Sequence, residues 1–89
     1  MLKQAHIFIK GDVIGVGFRA WTKIQAKIIG ITGWVRNSGD SVEAVLQGED
    51  NVVNQMILRL KKGPSVSKVE SAGTVWETVS EKFTTFEIV

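Results

Sequence analysis

The chain has 89 residues and contains no cysteine, one histidine and one proline. Without cysteine it can form neither a disulfide nor a thiolate-ligated zinc or iron–sulfur site, and thiol nucleophiles are excluded. With one histidine and no pair of acidic residues at a telling spacing, it also has little material for a catalytic triad or a transition-metal site. We therefore expect a function that uses no metal and no cofactor.

Long apolar runs and a strong excess of charge are also absent. No segment approaches the ~20 apolar residues of a membrane span, and the N-terminus shows no apolar run followed by a small-residue cleavage site. The net charge is +2, and the basic residues are scattered apart from Lys61 and Lys62, which complement the dipole at the end of a predicted helix. These features predict a cytoplasmic protein with no membrane and no nucleic-acid partner.

Hydrophobic residues make up 44% of the chain and charged residues 22%, which is typical of a compact globular protein. The length allows one two-layer core and is too short for two. We therefore expect a single domain over residues 1–89, and a monomer.

The first half of the chain reads as strand, helix, strand and strand. Alternation over Ala5–Ile9 predicts a strand with Ala5, Ile7 and Ile9 on one face. From Phe18 the spacing becomes helical, and Gly30 is placed to end the helix. The expected apolar face of that helix comprises Phe18, Trp21, Ile24, Ile28 and Ile29. Residues 31–36 and 42–46 then form two strands, joined by a turn at residues 37–40.

The second half adds a helix and two strand-like runs. Asp50 is expected to be the N-cap of the helix, and Gly63-Pro64 ends it. Strand character returns over residues 66–76 and 83–88. The order β-α-β-β-α-β with a terminal strand is typical of the ferredoxin-like split βαβ plan, an α+β sandwich in which a mostly antiparallel sheet carries both helices on one face.

A glycine-rich loop leads from the first strand into the first helix, from Gly11 to Arg19. Glycines let several backbone N–H groups point into one concavity, and the helix N-terminus adds unpaired donors. A cation is disfavoured there by roughly 0.3–1 kcal/mol, so Arg19 is easier to explain if an anion binds. The alternative is a plain tight connection with a solvated arginine. The loop matches neither the Walker pattern nor the dinucleotide fingerprint.

The other candidate polar residues have ordinary structural explanations. Asn37 taken alone is a turn former, although the split βαβ plan brings the end of its strand near the loop after the first strand, where it could approach the anion. His6 is expected to be a surface or partly buried histidine rather than a ligand. Glu49 and Asp50 are expected to cap a helix and complement its dipole.

The run Gly11-x-Val13-x-Gly15-Val16-Gly17-Phe18-Arg19, followed eighteen residues later by Asn37, resembles the acylphosphatases. The resemblance extends over nearly the whole chain and includes residues 42–48, Gly63-Pro64 and the closing Phe83-x-x-Phe86-x-Ile88. The family usually has glutamine where this chain has Ile14, and its turn after the asparagine is commonly one residue longer. Neither departure changes Arg19 or Asn37.

The resemblance implies a ferredoxin-like fold and an enzyme that hydrolyses acyl phosphates to a carboxylate and inorganic phosphate without metal or covalent intermediate. It assigns phosphate binding to the loop that comprises Ile14, Gly15, Val16, Gly17, Phe18 and Arg19. Arg19 would grip phosphoryl oxygens and Asn37 would orient the attacking water, so these two residues are the expected catalytic residues.

Two other interpretations stay open. A non-catalytic module that recognises phosphate or acyl phosphate is one, because a similar domain begins the larger carbamoyltransferases of hydrogenase maturation. An RNA-binding ferredoxin-like domain is the other, because Gly15-Val16-Gly17-Phe18 superficially resembles an aromatic strand motif. Phe18, however, opens a helical pattern rather than lying on a central strand.

Overall fold

The computed structural model describes all 89 residues and contains five strands and two helices. In chain order they are β1 (Leu2–Asp12), α1 (Phe18–Ile29), β2 (Thr32–Ser38), β3 (Ser41–Glu49), α2 (Asp50–Lys62), β4 (Lys68–Glu77) and β5 (Phe86–Ile88). The order of elements predicted from the sequence is confirmed. Neither helix is long and apolar enough to cross a membrane.

The strands form one sheet in the order β4-β1-β3-β2-β5. All neighbouring pairs are antiparallel except β2 and β5, which are parallel. Helix α1 packs against β2 and β5, whereas α2 packs against β1, β3 and β4. Both helices cover the same face, and no helix covers the other, which we call the uncovered face; residues 81–83 pack over part of it through hydrogen bonds to Gln47. The expected ferredoxin-like α+β fold is thus confirmed.

The core lies between the sheet and the helices. Successive side chains of a strand point to opposite faces, so every second residue of the central strands is buried against the helices. On β1 these are Ala5, Ile7 and Ile9, as expected from the sequence. The facing residues of β3 and α2 complete this layer: Val42, Ala44, Leu46, Val53, Met56, Ile57 and Leu60.

The predicted apolar face of α1 is partly wrong. Ile24 and Ile28 are 57% and 66% exposed, and the buried residues are Phe18, Thr22 and Ala26. These three lie four residues apart and share one face, where the small side chains of Thr22 and Ala26 allow the helix to lie close to the sheet. The two isoleucines lie on a neighbouring side of the helix that faces solvent.

Several predicted boundaries are also corrected. Strand β1 is longer than expected, and β5 is reduced to Phe86–Ile88. The expected turn at residues 37–40 is shorter, because Asn37 and Ser38 still pair with β3. The N-cap of α2 is Glu49 rather than Asp50, and it provides no side-chain cap. Its carboxylate instead accepts a hydrogen bond from the N-terminal ammonium at 2.9 Å.

Candidate active site

The loop between β1 and α1 has alternating backbone conformations. Gly15 and Gly17 have φ angles of 76° and 75°, and no residue other than glycine has a positive φ. Positive φ angles that alternate with negative ones can turn successive N–H groups into one concavity, as in an anion-binding nest. A Cβ atom added at either glycine would meet no atom within 4 Å. The backbone conformation, rather than lack of space, therefore favours glycine at both positions.

The N–H groups of this segment have no acceptor within the chain. The first bond of α1 runs from the Trp21 N–H to the Gly17 carbonyl at 2.9 Å, and the N–H groups of residues 14–20 donate to no backbone or side-chain oxygen. No acidic residue stands in the first turn of the helix. The loop and the helix N-terminus therefore present a continuous run of free donors at the positive end of a helix dipole.

Buried side chains at both ends of the loop hold it in place. Val13 and Phe18 are each 1% exposed, and the Phe18 ring lies 5.5 Å from the Trp21 ring. The Thr22 hydroxyl donates a hydrogen bond to the Phe18 carbonyl at 2.8 Å. Phe18 thus contributes its N–H to the loop while its side chain anchors the helix to the core. Ile14, Gly15 and Gly17 are exposed between these anchors.

Arg19 is the second residue of α1 and is exposed. Its guanidinium makes no ion pair and no hydrogen bond within the chain. The planar guanidinium has five N–H donors and can bind two oxygens of a phosphoryl group at once. An unpaired cation thus stands beside the free N–H groups of the loop.

Asn37 lies near the end of β2, at the same end of the sheet as the loop. In the register of the strands, Val42 of β3 lies opposite Ile9 of β1 on one side and opposite Asn37 on the other. Two strand spacings of about 4.8 Å each put the Cα atoms of Ile9 and Asn37 about 10 Å apart. Because Gly33 and Val35 face the helices, alternation puts Asn37 on that face too. Its amide makes no hydrogen bond within the chain.

The site is open rather than enclosed. None of the four surface grooves is lined by Asn37 or by any residue of the loop over 14–19. The most enclosed apolar groove lies between the end of α1 and β5, away from the loop. A polar groove of about 380 Å³ lies closer, where the ends of β1 and β4 meet the β2–β3 turn. The loop, Arg19 and Asn37 thus lie on open surface, outside all four grooves.

The uncovered face of the sheet carries a polar cluster that the sequence did not reveal. His6 Nε2 lies 2.6 Å from Glu43 Oε1, and His6 Nδ1 lies 3.0 Å from Glu77 Oε2. Arg36 donates to both oxygens of Glu43 at 3.2–3.3 Å. The two ring nitrogens of His6 thus bridge the carboxylates of Glu43 and Glu77.

The same contacts shift the pKa of both carboxyl groups in one direction. Burial opposes ionisation of Glu43, but hydrogen bonds from His6 and Arg36 and the charges of both outweigh it and lower its pKa. For Glu77, hydrogen bonds from Gln4 and then His6 lower the pKa against a smaller effect of burial. A signal was present in the sequence, since His6, Glu43 and Arg36 interrupt apolar strands, but their pairing depends on the register.

Comparison with known proteins points to one family. The acylphosphatase family model matches residues 5–88. The chain is 40% identical to a curated acylphosphatase of Roseiflexus sp. over 89 residues, which cover 99% of this chain and 96% of that protein. It also matches the crystal structure of acylphosphatase from Bacillus subtilis with a TM-score of 0.93 and 33% identity, over 100% of this chain and 99% of the other.

A larger protein contains a similar fold. HypF from T. kodakarensis matches with a TM-score of 0.86 and 26% identity, over 98% of this chain but only 12% of HypF. The curated relative and the Bacillus structure, by contrast, are matched over nearly their whole length. The family model, the identities and the shared fold agree, and the chain belongs to the acylphosphatase family.

Proposed function

We propose that the chain hydrolyses acyl phosphates to a carboxylate and inorganic phosphate at the surface formed by the loop, Arg19 and Asn37. In this proposal, the N–H groups of residues 14–19 and the Arg19 guanidinium hold the phosphoryl group, and Asn37 orients the attacking water. The observation that carries it is the run of free N–H groups beside an unpaired arginine. Family membership supports the same activity.

Binding of the phosphoryl group follows from the charges and donors of the loop. A phosphoryl dianion accepts several hydrogen bonds, and those from N–H groups to an anion are roughly twice as strong as neutral ones. The anchored ends at Val13 and Phe18 fix the donors before the substrate arrives. Little reorganisation is then needed when charge develops on the phosphoryl oxygens in the transition state.

The chemistry needs few groups because the carboxylate of an acyl phosphate leaves readily. The water oxygen attacks phosphorus in line with the leaving group, the bond between phosphorus and the acyl oxygen breaks, and that oxygen keeps the electron pair. The proton of the water passes to phosphate or solvent. The Asn37 carboxamide accepts a hydrogen bond from the water and holds it in line, so catalysis consists of positioning and charge stabilisation.

The contacts invoked address the phosphate end of the substrate and leave the acyl group unconstrained. Benzoyl phosphate is therefore a suitable probe. All the groups that the proposal uses are protein groups of a single chain. The proposed enzyme is therefore a monomer that needs no metal and no cofactor. The proposal also includes a cytoplasmic location. Sedimentation of the active protein, and turnover in the presence of a chelator, test the first two statements.

The test compares turnover of benzoyl phosphate by wild type, Arg19→Ala and Asn37→Ala. We expect both variants to lose about a hundredfold or more in kcat, as when a preorganised donor is removed. Arg19→Ala should also bind phosphate more weakly, whereas Asn37→Ala should retain phosphate affinity. Asn54→Ala, at an exposed asparagine of α2, is the matched control and should turn over normally. Wild-type rates in both site variants would refute the assigned roles.

A second candidate is a module that binds phosphate without turnover. The match to a small part of HypF favours it, since the same fold there is one part of a larger protein. Calorimetry that detects phosphate binding, together with no hydrolysis of benzoyl phosphate by the wild-type chain, would favour this module over the enzyme.

A further inference from the structure

The end of β2 that carries Asn37 is held on one edge only. Strand β5 pairs with β2 at Gly33–Val35, and the last bond on that edge runs from the Val89 N–H to the Val35 carbonyl at 3.0 Å. Residues 36–38 continue beyond β5 and have β3 as their sole neighbour in the sheet. The position of Asn37 therefore depends on how firmly β2 is attached to β3 at this point.

Glu43 of β3 supplies a side-chain link at this place. It lies opposite Arg36 in the register, and both of its oxygens accept hydrogen bonds from the Arg36 guanidinium at 3.2–3.3 Å. The guanidinium also lies over the Trp34 ring, 4.9 Å from its centroid. The Glu43 side chain is only 11% exposed, so solvent screens this pair less than a surface ion pair.

The same carboxylate also contacts the strand on its other side. His6 of β1 reaches Glu43 Oε1 at 2.6 Å from a diagonal position in the register. Strand β1 leads into the glycine-rich loop, and β2 carries Asn37. Because β3 separates these two strands, Glu43 is the single acceptor that contacts both of them on the uncovered face.

We infer that Glu43 is a positioning residue for hydrolysis. It binds Arg36 of β2 and His6 of β1 at the same time, and it thereby fixes the end of β2 that bears Asn37 relative to β1, which leads into the phosphate loop. This inference rests on the roles proposed above for the loop and for Asn37. Glu43 itself lies on the face of the sheet opposite the helices and does not contact the substrate. Its effect is on geometry, where a misplacement of about 1 Å can lower the rate roughly a hundredfold.

Glu77 provides a matched control on the same histidine. It accepts hydrogen bonds from His6 at 3.0 Å and from Gln4 at 2.9 Å, and both partners belong to β1. Glu77 lies on β4, at the edge of the sheet far from β2, and contacts no residue of that strand. Loss of its charge weakens the cluster without loosening the end of β2.

The experiment measures kcat and KM for benzoyl phosphate, and the inhibition constant of inorganic phosphate, in Glu43→Gln and Glu77→Gln. We expect Glu43→Gln to lower kcat about tenfold while the phosphate inhibition constant changes less than about twofold, because the loop donors are intact. We expect Glu77→Gln to leave kcat within about twofold of wild type. Equal kcat in the two variants, or an equal loss of kcat and phosphate affinity in Glu43→Gln, would overturn the inference.

The other partner of the carboxylate gives a second test if Glu43→Gln does not fold. Arg36 is half exposed, and Arg36→Gln removes only the link to β2 and leaves the contact between Glu43 and His6. It should reproduce the loss of kcat, and Arg36→Lys should restore part of it; a wild-type kcat in Arg36→Gln would overturn the inference. An inactive wild-type protein would instead refute the proposed function.

Discussion

Replacing Gly17 with alanine tests whether the left-handed backbone of the loop is needed to bind phosphate. Gly17 has φ 75° and ψ 20°, and an added Cβ atom meets nothing within 4 Å. The substitution therefore introduces no clash, and its cost is the preference of an L-residue against this conformation, roughly 1–2 kcal/mol. The Gly17 N–H donates to no group within the chain. Residue 17 is held through its carbonyl, which accepts from the Trp21 N–H, and through its buried neighbour Phe18, but no hydrogen bond on its N–H side opposes a change of its φ angle.

We expect the loop to relax into a right-handed conformation in Gly17→Ala, because this avoids the strain. If the free energy of the phosphate-binding conformation of the loop then lies about 1–2 kcal/mol above that of the relaxed conformation, phosphate affinity falls roughly 5- to 30-fold. The free energy of unfolding should change little. Phosphate binding is measured by calorimetry and by competitive inhibition of benzoyl phosphate hydrolysis, and stability by thermal unfolding.

Gly30→Ala is the matched control at the other end of α1. Gly30 also has a positive φ, 89°, and open space around an added Cβ atom. Unlike the loop, it is held by hydrogen bonds to the Ala26 carbonyl from the N–H groups of Gly30 and Ile31, at 2.8 and 2.9 Å. The strain should therefore lower global stability by roughly 1–2 kcal/mol, with phosphate affinity unchanged. Unchanged phosphate binding in Gly17→Ala, or an equal loss in Gly30→Ala, would refute the reasoning.

Three other predictions concern the anchor, the departure from the family pattern and the polar cluster. Phe18→Ala should lower the free energy of unfolding, measured by urea denaturation, by about 3–5 kcal/mol, because the Phe18 side chain is 1% exposed. A loss below about 1 kcal/mol would contradict its role as an anchor. Ile14→Gln should leave kcat within about twofold, because the proposed phosphate binding uses the loop N–H groups and the Ile14 side chain is 41% exposed; a larger change would show that the side chain takes part. Because the pKa values of Glu43 and Glu77 are lowered in the folded protein, the unfolded chain binds more protons at acidic pH. The two ionised carboxylates therefore stabilise the fold fully above the ordinary pKa of 4.5, and this stabilisation is lost as the pH falls through their lower pKa values in the folded protein. The Glu43→Gln, Glu77→Gln double variant should therefore show a flatter decline of its urea midpoint below pH 4.5, and an unchanged decline would contradict this account.

Local signals account for what the sequence predicted well. The glycine-rich loop was recognisable because left-handed turns and a helix start depend on neighbouring residues. The ends of both helices were predicted from the glycines that follow them, again a local signal, and the structure confirms Gly30 and Gly63 as the C-caps. The alternation of Ala5, Ile7 and Ile9 identified the buried face of β1 correctly.

Features that depend on distant parts of the chain were predicted less well. Apolar spacing placed Ile24 and Ile28 on the apolar face of α1, yet the packing of the helix against the sheet buries Thr22 and Ala26 instead. The length of β5 is limited by its pairing with β2 at Gly33–Val35, which no local pattern encodes.

The polar cluster shows the same limit more clearly. His6, Glu43 and Glu77 lie on three different strands, and the register between the strands brings their side chains together. A shift of one residue would move each of them to the opposite face.

The short β5 has a consequence for how the molecule behaves in concentrated solution. Its three residues cover the outer edge of β2 next to Trp34 and Val35, and the segment that leads to it is tied down by Gln47, which donates to the Glu81 carbonyl and accepts from the Phe83 N–H. Removal of β5 would expose the N–H and C=O groups of the seven-residue strand β2, which readily pair with another chain. With β5 in place, the sheet ends on that side in a strand of three residues, which offers another chain a shorter edge to pair with than β2 would.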